Sequence, residues 1–271
     1  MRQTIAEAFE RARGENRVAF VPYVMAGDPD LGTTAAVLAA LGSAGADLIE
    51  LGIPYGDPLA DGPIVAAAGQ RALARATNVG DVLALVRGVR DAGGPPVVLF
   101  TYFNPVYRYG LERFARDAAN AGAAGAIVPD VALEETAELR ASLAAQGLDL
   151  PLLVAPSTPH ERAARIADVA TGFVYVVSRL GVTGSGSAPA FAALRMQLAG
   201  IRELTHKPLA VGFGLSRPEH VREVAPSADG IIVGSALIEA YAGKTGAAAA
   251  RAAADFAKPL IEAAARADAG T

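Results

Sequence analysis

Eight short runs of almost wholly apolar residues recur along the chain, each followed by a longer Ala-, Leu-, Arg- and Glu-rich segment of helical period. No other feature restricts the fold as tightly. The runs are RVAFVPYV (17–24), ADLIELG (46–52), PPVVLFTY (95–102), GAIVPD (125–130), LDLPLLV (148–154), GFVYVVS (172–178), KPLAVGF (207–213) and DGIIVG (229–234). A strand with one face in water alternates apolar and polar residues, whereas these do not, so both faces are covered and the sheet is parallel. Between them lie segments such as LGTTAAVLAALGSAG and LEETAELRASLAAQG, which close on Gly as helices commonly do.

Eight βα units with no Pro/Ser-rich linker between them predict one α/β domain over residues 1–271, a (β/α)8 TIM barrel. The segment MRQTIAEAFERARGENR adds an amphipathic N-terminal helix. An open doubly wound sheet is the competing architecture, but its usual five or six strands fit the count less well. The chain's 271 residues suit a barrel of this kind, and 24 basic against 28 acidic side chains argue against a nucleic-acid partner. Cysteine is absent, which excludes disulfides and thiolate chemistry. The Ala-rich tail is broken by Arg251, Asp255 and Lys258, so no membrane span is expected, and with no signal-like segment the expected setting is cytoplasmic.

Barrel chemistry sits on the loops after the carboxyl ends of the strands. Two of those loops are long, Gly52 to Pro63 and Arg179 to Pro189, and long irregular loops in a compact domain are usually functional. Alternation along ADLIELG puts Leu48 and Glu50 on one face and Ile49 and Leu51 on the other. If the latter pair faces the helices, Glu50 points into the barrel mouth, where apolar surroundings would favour its protonated form. Position alone leaves open a proton-handling role and a structural one. Asp57 and Asp61 lie on the stiff GDPLADGP loop, where either could simply bond its own turn.

Glycines cluster at the ends of the last three runs, in VSRLGVTGSGS, VGFGLS and IIVGSALIEA. Backbone amides can approach an anion there, and the loops after the seventh and eighth strands are a recurring phosphate site in barrels. Gly184, Gly214, Gly234 and Ser235 are the candidates, and neither Arg179 nor Lys207 is required to bind the phosphate directly. His160, His206 and His220 show no ligand spacing and are expected at the surface, so no metal is predicted. Tyr23, Phe100, Tyr102, Tyr175 and Phe213 lie near strand ends, where each is expected to belong to the core, with the lining of an apolar pocket for a flat ligand as the alternative.

The block IELGIPYGDPLADGP resembles the signature of the tryptophan synthase α subunit family. FVPYVMAGDPD, LFTYFNPV, VPDVALEE, YVVSRLGVTGSGS, VGFGLSRPEHV and GIIVGSALIE continue the similarity in the family's order over nearly the whole chain. The resemblance implies a lyase that cleaves indole-3-glycerol phosphate to indole and glyceraldehyde 3-phosphate by a retro-aldol reaction, without metal or organic cofactor. It matches Glu50 and Asp61 to the catalytic acids, and Tyr175, Gly184, Phe213, Gly214, Gly234 and Ser235 to positions around the substrate and its phosphate. Thr183 matches a threonine of the lid.

It further implies a pyridoxal-phosphate-dependent β subunit as partner in an α2β2 heterotetramer, faced by Asp57 and Asn104. The chain departs from the family at Tyr55-Gly56, where Phe-Ser is common, and at IVAAAGQ after Pro63, where a polar stretch with Gln is usual. Both changes leave the two acids intact. A freestanding indole-3-glycerol-phosphate lyase shares these acids, and a non-catalytic barrel that only activates a β subunit is a further alternative.

Overall fold

The computed structural model describes residues 3–178, 188–212 and 214–265. Eight parallel strands form one sheet, ordered β4-β3-β2-β1-β8-β7-β6-β5. They are β1 (Ala19–Met25), β2 (Ile49–Gly52), β3 (Val97–Phe100), β4 (Ala123–Ile127), β5 (Leu152–Val154), β6 (Val174–Val177), β7 (Leu209–Gly212) and β8 (Gly230–Val233). The edges β4 and β5 meet through the Gly125–Asp149 bridge, with the Ala126 N–H donating to the Asp149 carbonyl at 2.9 Å. Closure there needs a glycine, since a Cβ on Gly125 would stand 2.5 Å from that carbonyl oxygen. The barrel is therefore complete, as the eight-unit pattern predicts.

The strands are buried on both faces, which explains their unbroken apolarity. Phe20, Leu48, Ile49, Leu51, Leu99 and Ile127 are among the largest fully buried side chains, and each contributes on the order of 1.5–3 kcal/mol relative to exposure. The expected N-terminal helix spans Ile5–Gly14 and starts on a capping box, in which Thr4 accepts from the Glu7 N–H and Glu7 accepts from the Thr4 N–H. Beyond the barrel units, short helices at Phe103–Tyr109 and Ser235–Tyr241 follow β3 and β8 on the mouth side. The Ala-rich helix Gly246–Ala263 packs against Leu31–Ala44, and no helix among the described residues is long and apolar enough to cross a membrane.

At the opposite end of the strands, Arg17 grips Asp47 with two hydrogen bonds, of 2.5 and 2.8 Å, and Asp47 also accepts the Phe20 N–H at 2.9 Å. This buried carboxylate is fully engaged and ties the N-terminal helix to the barrel floor. Its chemistry is spent on structure.

Candidate active site

Glu50 is the second residue of β2 and is 2 % exposed. It pairs in register with Tyr23 of β1 and Val98 of β3, and its Oε2 is buried without a hydrogen-bond partner. Burial, helped by the nearby Asp61 charge, pushes the Glu50 carboxyl up to about 8. The group is thus protonated at neutral pH, a buried acid with no structural bond at Oε2. Of the two readings the sequence leaves open, this geometry favours proton handling.

A raised folded value carries a stability consequence. Glu50 favours the folded state fully only below its unfolded value, ordinarily 4.5, and that contribution is lost as pH rises through about 8. Relative to wild type, the melting temperature of Glu50→Gln should therefore climb between about pH 5 and pH 9. Melting curves across that range check it, and a constant difference would contradict a buried, proton-holding Glu50.

Asp61 lies on the 53–62 loop that joins β2 to the helix Pro63–Ala74. It does not bond its own turn through its side chain in the way an Asp-Gly turn suggests. Tyr102 donates its hydroxyl to Asp61 Oδ1 at 2.8 Å and accepts the Ala60 N–H at 3.0 Å. One phenol thus pins both backbone and carboxylate of the loop to the end of β3. Burial raises the Asp61 carboxyl and the Tyr102 hydrogen bond opposes that rise, whereas the Tyr102 phenol is held protonated by burial and the Asp61 charge. Tyr102 is buried, as core assignment predicts, but its hydroxyl does positioning work that position in the sequence does not reveal.

An aromatic band continues from this clamp across the mouth. Tyr55 packs on Tyr102 at 5.3 Å, Tyr102 meets Phe100 edge-on at 6.4 Å, and Phe100 meets Tyr23 edge-on at 5.8 Å. Opposite, Tyr175 of β6 is buried and leans over Gly212 of β7, where a Cβ would stand 2.3 Å from its hydroxyl. Both Glu50 and Asp61 bear on the Tyr175 phenol electrostatically, so the two acids and this ring share one space.

The described glycine-loop residues converge on the same end of the barrel. Gly214 follows β7 with φ +83°, a conformation that favours glycine, and Gly234 caps the helix that Ser235 begins. All three retain exposed surface. Thr183, Gly184 and Phe213 lie outside the described residues, as does most of the 179–189 loop.

His220 corrects an expectation. His160 and His206 are exposed, but His220 is 5 % exposed, on the inner face of the helix Pro218–Val224 with Val221 and Val224. Arg217 Nε donates to its Nε2 at 3.1 Å and its ring lies 5.4 Å from Phe191. Burial and the Arg217 charge lower its pKa, so it is a neutral core residue. The sequence pattern misses this because the helix is only seven residues long, too short to show a periodic face.

Asp57 and Asn104 are exposed on the mouth side, beside Leu59 at 81 % and Tyr107 at 65 % exposure. Asn104 Nδ2 donates to the Tyr55 hydroxyl at 3.4 Å and so links the β3 helix to the loop bearing Asp61. Leu59 and Tyr107 thus hold large side chains in water on the same side as Asp57 and Asn104.

The family model described as tryptophan synthase alpha chain matches residues 9–265. The tryptophan synthase alpha chain of Prochlorococcus marinus (strain MIT 9313) is 49% identical over 266 residues, covering 96% of this chain and 95% of its own length. That of Gloeobacter violaceus is 50% identical over 239 residues, 88% of this chain and 86% of its own. A solved structure of Mycobacterium tuberculosis tryptophan synthase superposes with a TM-score of 0.90 at 36% identity, covering 98% of this chain and 100% of that chain. The alpha chain from Legionella pneumophila subsp. pneumophila gives 0.87 at 34% identity, with 98% of each chain covered. A family model that spans almost the whole chain, joined to relatives nearly half identical over similar lengths, shows that this chain belongs to the tryptophan synthase alpha chain family.

Proposed function

We infer that this chain is a lyase that cleaves indole-3-glycerol phosphate to indole and glyceraldehyde 3-phosphate and passes the indole to a β subunit for tryptophan synthesis. The observation that carries the reading is Glu50, a buried carboxyl kept protonated to about pH 8, with Asp61 tethered nearby by Tyr102. Two carboxyls in such different settings divide the work of acid and charge stabiliser.

The bond to be broken joins indole C3 to the glycerol phosphate chain. An aromatic enamine releases that bond poorly until C3 is protonated, when the ring becomes an indoleninium whose nitrogen can accept the bonding electrons. Glu50 supplies that proton. Its carboxylate then takes the proton of the hydroxyl on the adjacent chain carbon, the C–C bond breaks, and the oxygen becomes that of the aldehyde. Asp61, ionised, accepts the ring N–H and binds it more strongly as the nitrogen gains positive charge. A positioned donor of this sort contributes about a hundredfold to ten-thousandfold in rate, and oriented charge stabilisation about 3 kcal/mol or more. Gly214, Gly234 and Ser235 offer backbone amides to the phosphate and Tyr175 lies beside the indole, while the family resemblance assigns Thr183, Gly184 and Phe213 to the same substrate site.

The partner is the β subunit of a cytoplasmic α2β2 assembly, docked on Asp57, Leu59, Asn104 and Tyr107. Gly56 is exposed and meets nothing where a Cβ would stand, so the free loop is loosely constrained at that point. A carboxylate misplaced by about an ångström can cost on the order of a hundredfold, so docking accelerates cleavage by steadying Asp61. Steady-state cleavage across a titration of β subunit tests this. A slow isolated chain, activated strongly by the partner, is expected, with Asp57→Ala and Asn104→Ala reducing activation more than basal turnover. Full activity without response to β subunit would instead make it a freestanding lyase, and no cleavage in either state would leave a non-catalytic barrel.

A further inference from the structure

The Tyr23 ring belongs to the core, but its hydroxyl is accounted for by neither the core nor the two-acid scheme. It is 6 % exposed, yet its hydroxyl is buried without a hydrogen-bond partner. A phenol in such a place normally finds one, because an unmade buried bond costs about 1–3 kcal/mol. Its register partner across β1 and β2 is Glu50, whose Oε2 is also buried and unpartnered. In-register neighbours on parallel strands project to the same face, so both side chains point into the barrel.

The path of the ring is fixed by two glycines. Tyr23 Cβ lies against Gly234, where an added Cβ would stand 3.3 Å away, and its hydroxyl lies over Gly52, where one would stand 2.3 Å away. The ring therefore runs from the end of β8, beside the candidate phosphate loop, to the end of β2, beside Glu50. Burial foremost, then the Asp61 and Glu50 charges, keep the phenol protonated, so its hydroxyl has a proton to donate. Glu50 and Tyr23 do not bond each other. Two buried oxygens on adjacent strands at the mouth thus each lack a hydrogen-bond partner that a third polar atom could supply.

We propose that Tyr23 and Glu50 together hold the substrate hydroxyl on the carbon next to the scissile bond, with Tyr23 donating to its oxygen and Glu50 receiving its proton. This rests on the lyase reading and adds a residue to it. In the free enzyme both oxygens stand unmet, and the bound hydroxyl meets both. As the proton passes to the Glu50 carboxylate, the Tyr23 hydrogen bond steadies the charge growing on the oxygen that becomes the aldehyde's, and no atom beyond substrate and Glu50 is consumed.

Tyr23→Phe removes one oxygen and keeps the ring that packs on Phe100 and Gly234. The test compares turnover of indole-3-glycerol phosphate with binding of an indole-3-propyl phosphate that lacks the chain hydroxyls, in the presence of β subunit. Turnover is expected to fall about ten- to a hundredfold, mainly in kcat, while the affinity for the hydroxyl-free analogue stays within about twofold. Turnover within about twofold of wild type would overturn the proposal, as would an equal loss in analogue affinity, which is the mark of a packing role. If wild-type protein itself fails to turn over the substrate while still binding the analogue, the lyase reading fails, separately from the assignment of Tyr23.

Discussion

Glu50→Gln is expected to lower cleavage of indole-3-glycerol phosphate by at least about a hundredfold while leaving binding of glycerol 3-phosphate nearly intact. The amide keeps the shape of the acid and removes its titratable proton. Since Glu50 is buried on β2 and makes no hydrogen bond through Oε2, the substitution breaks no framework contact there, and lost turnover reads as lost proton transfer. Steady-state assays with β subunit, beside a titration of glycerol 3-phosphate, measure the two quantities. Near-normal turnover would remove Glu50 from the mechanism.

Gly234→Asp should weaken glycerol 3-phosphate binding by about a hundredfold or more, for two additive reasons. A carboxylate placed among amides that receive a phosphate repels it. A Cβ at this position would also stand 3.3 Å from Tyr23 Cβ, tighter than ordinary contact, so the new side chain is turned toward the mouth or displaces the ring. Gly234 retains exposed surface at a helix start, so the new side chain has solvent to turn into and the fold should survive. Calorimetric titration of glycerol 3-phosphate, with a melting curve as control, decides the matter. Unchanged affinity would place the phosphate elsewhere.

The barrel itself was legible because burial on both faces leaves a mark in every strand, eight times over. Boundaries were less so. The run placed at 125–130 is the strand Ala123–Ile127, since Ala123 and Ala124 read equally well as the end of the preceding helix, and the pairing of Gly125 with Asp149 that fixes the strand is a contact between distant segments. Glu50 was legible from alternation within one strand, a local property. Its missing partner was not, because a lack of hydrogen bonds depends on everything that surrounds the group.

Asp61 shows the same division. Its stiff loop marks it as a candidate, but what separates it from Asp57 is Tyr102, 41 residues further along, whose hydroxyl reaches Asp61 alone of the two. Tyr23 and Tyr102 both looked like core rings, and by burial they are. Their hydroxyls distinguish them, one clamping a loop and the other left unmet, and only folded geometry reports that difference. The resemblance to the family supplied roles for residues on glycine loops that local chemistry alone could not rank.

The central claim is that cleavage begins with a proton held by Glu50, and the pH dependence of kcat/KM above neutrality tests it most directly. That quantity reports ionisations of the free enzyme. With β subunit saturating, the wild-type profile should be level near pH 7 and fall about tenfold per pH unit beyond a limb near pH 8, where Glu50 loses its proton. The residual activity of Glu50→Gln should lack that limb. A wild-type profile that rises through pH 8, or a limb that persists unchanged in Glu50→Gln, would contradict the account.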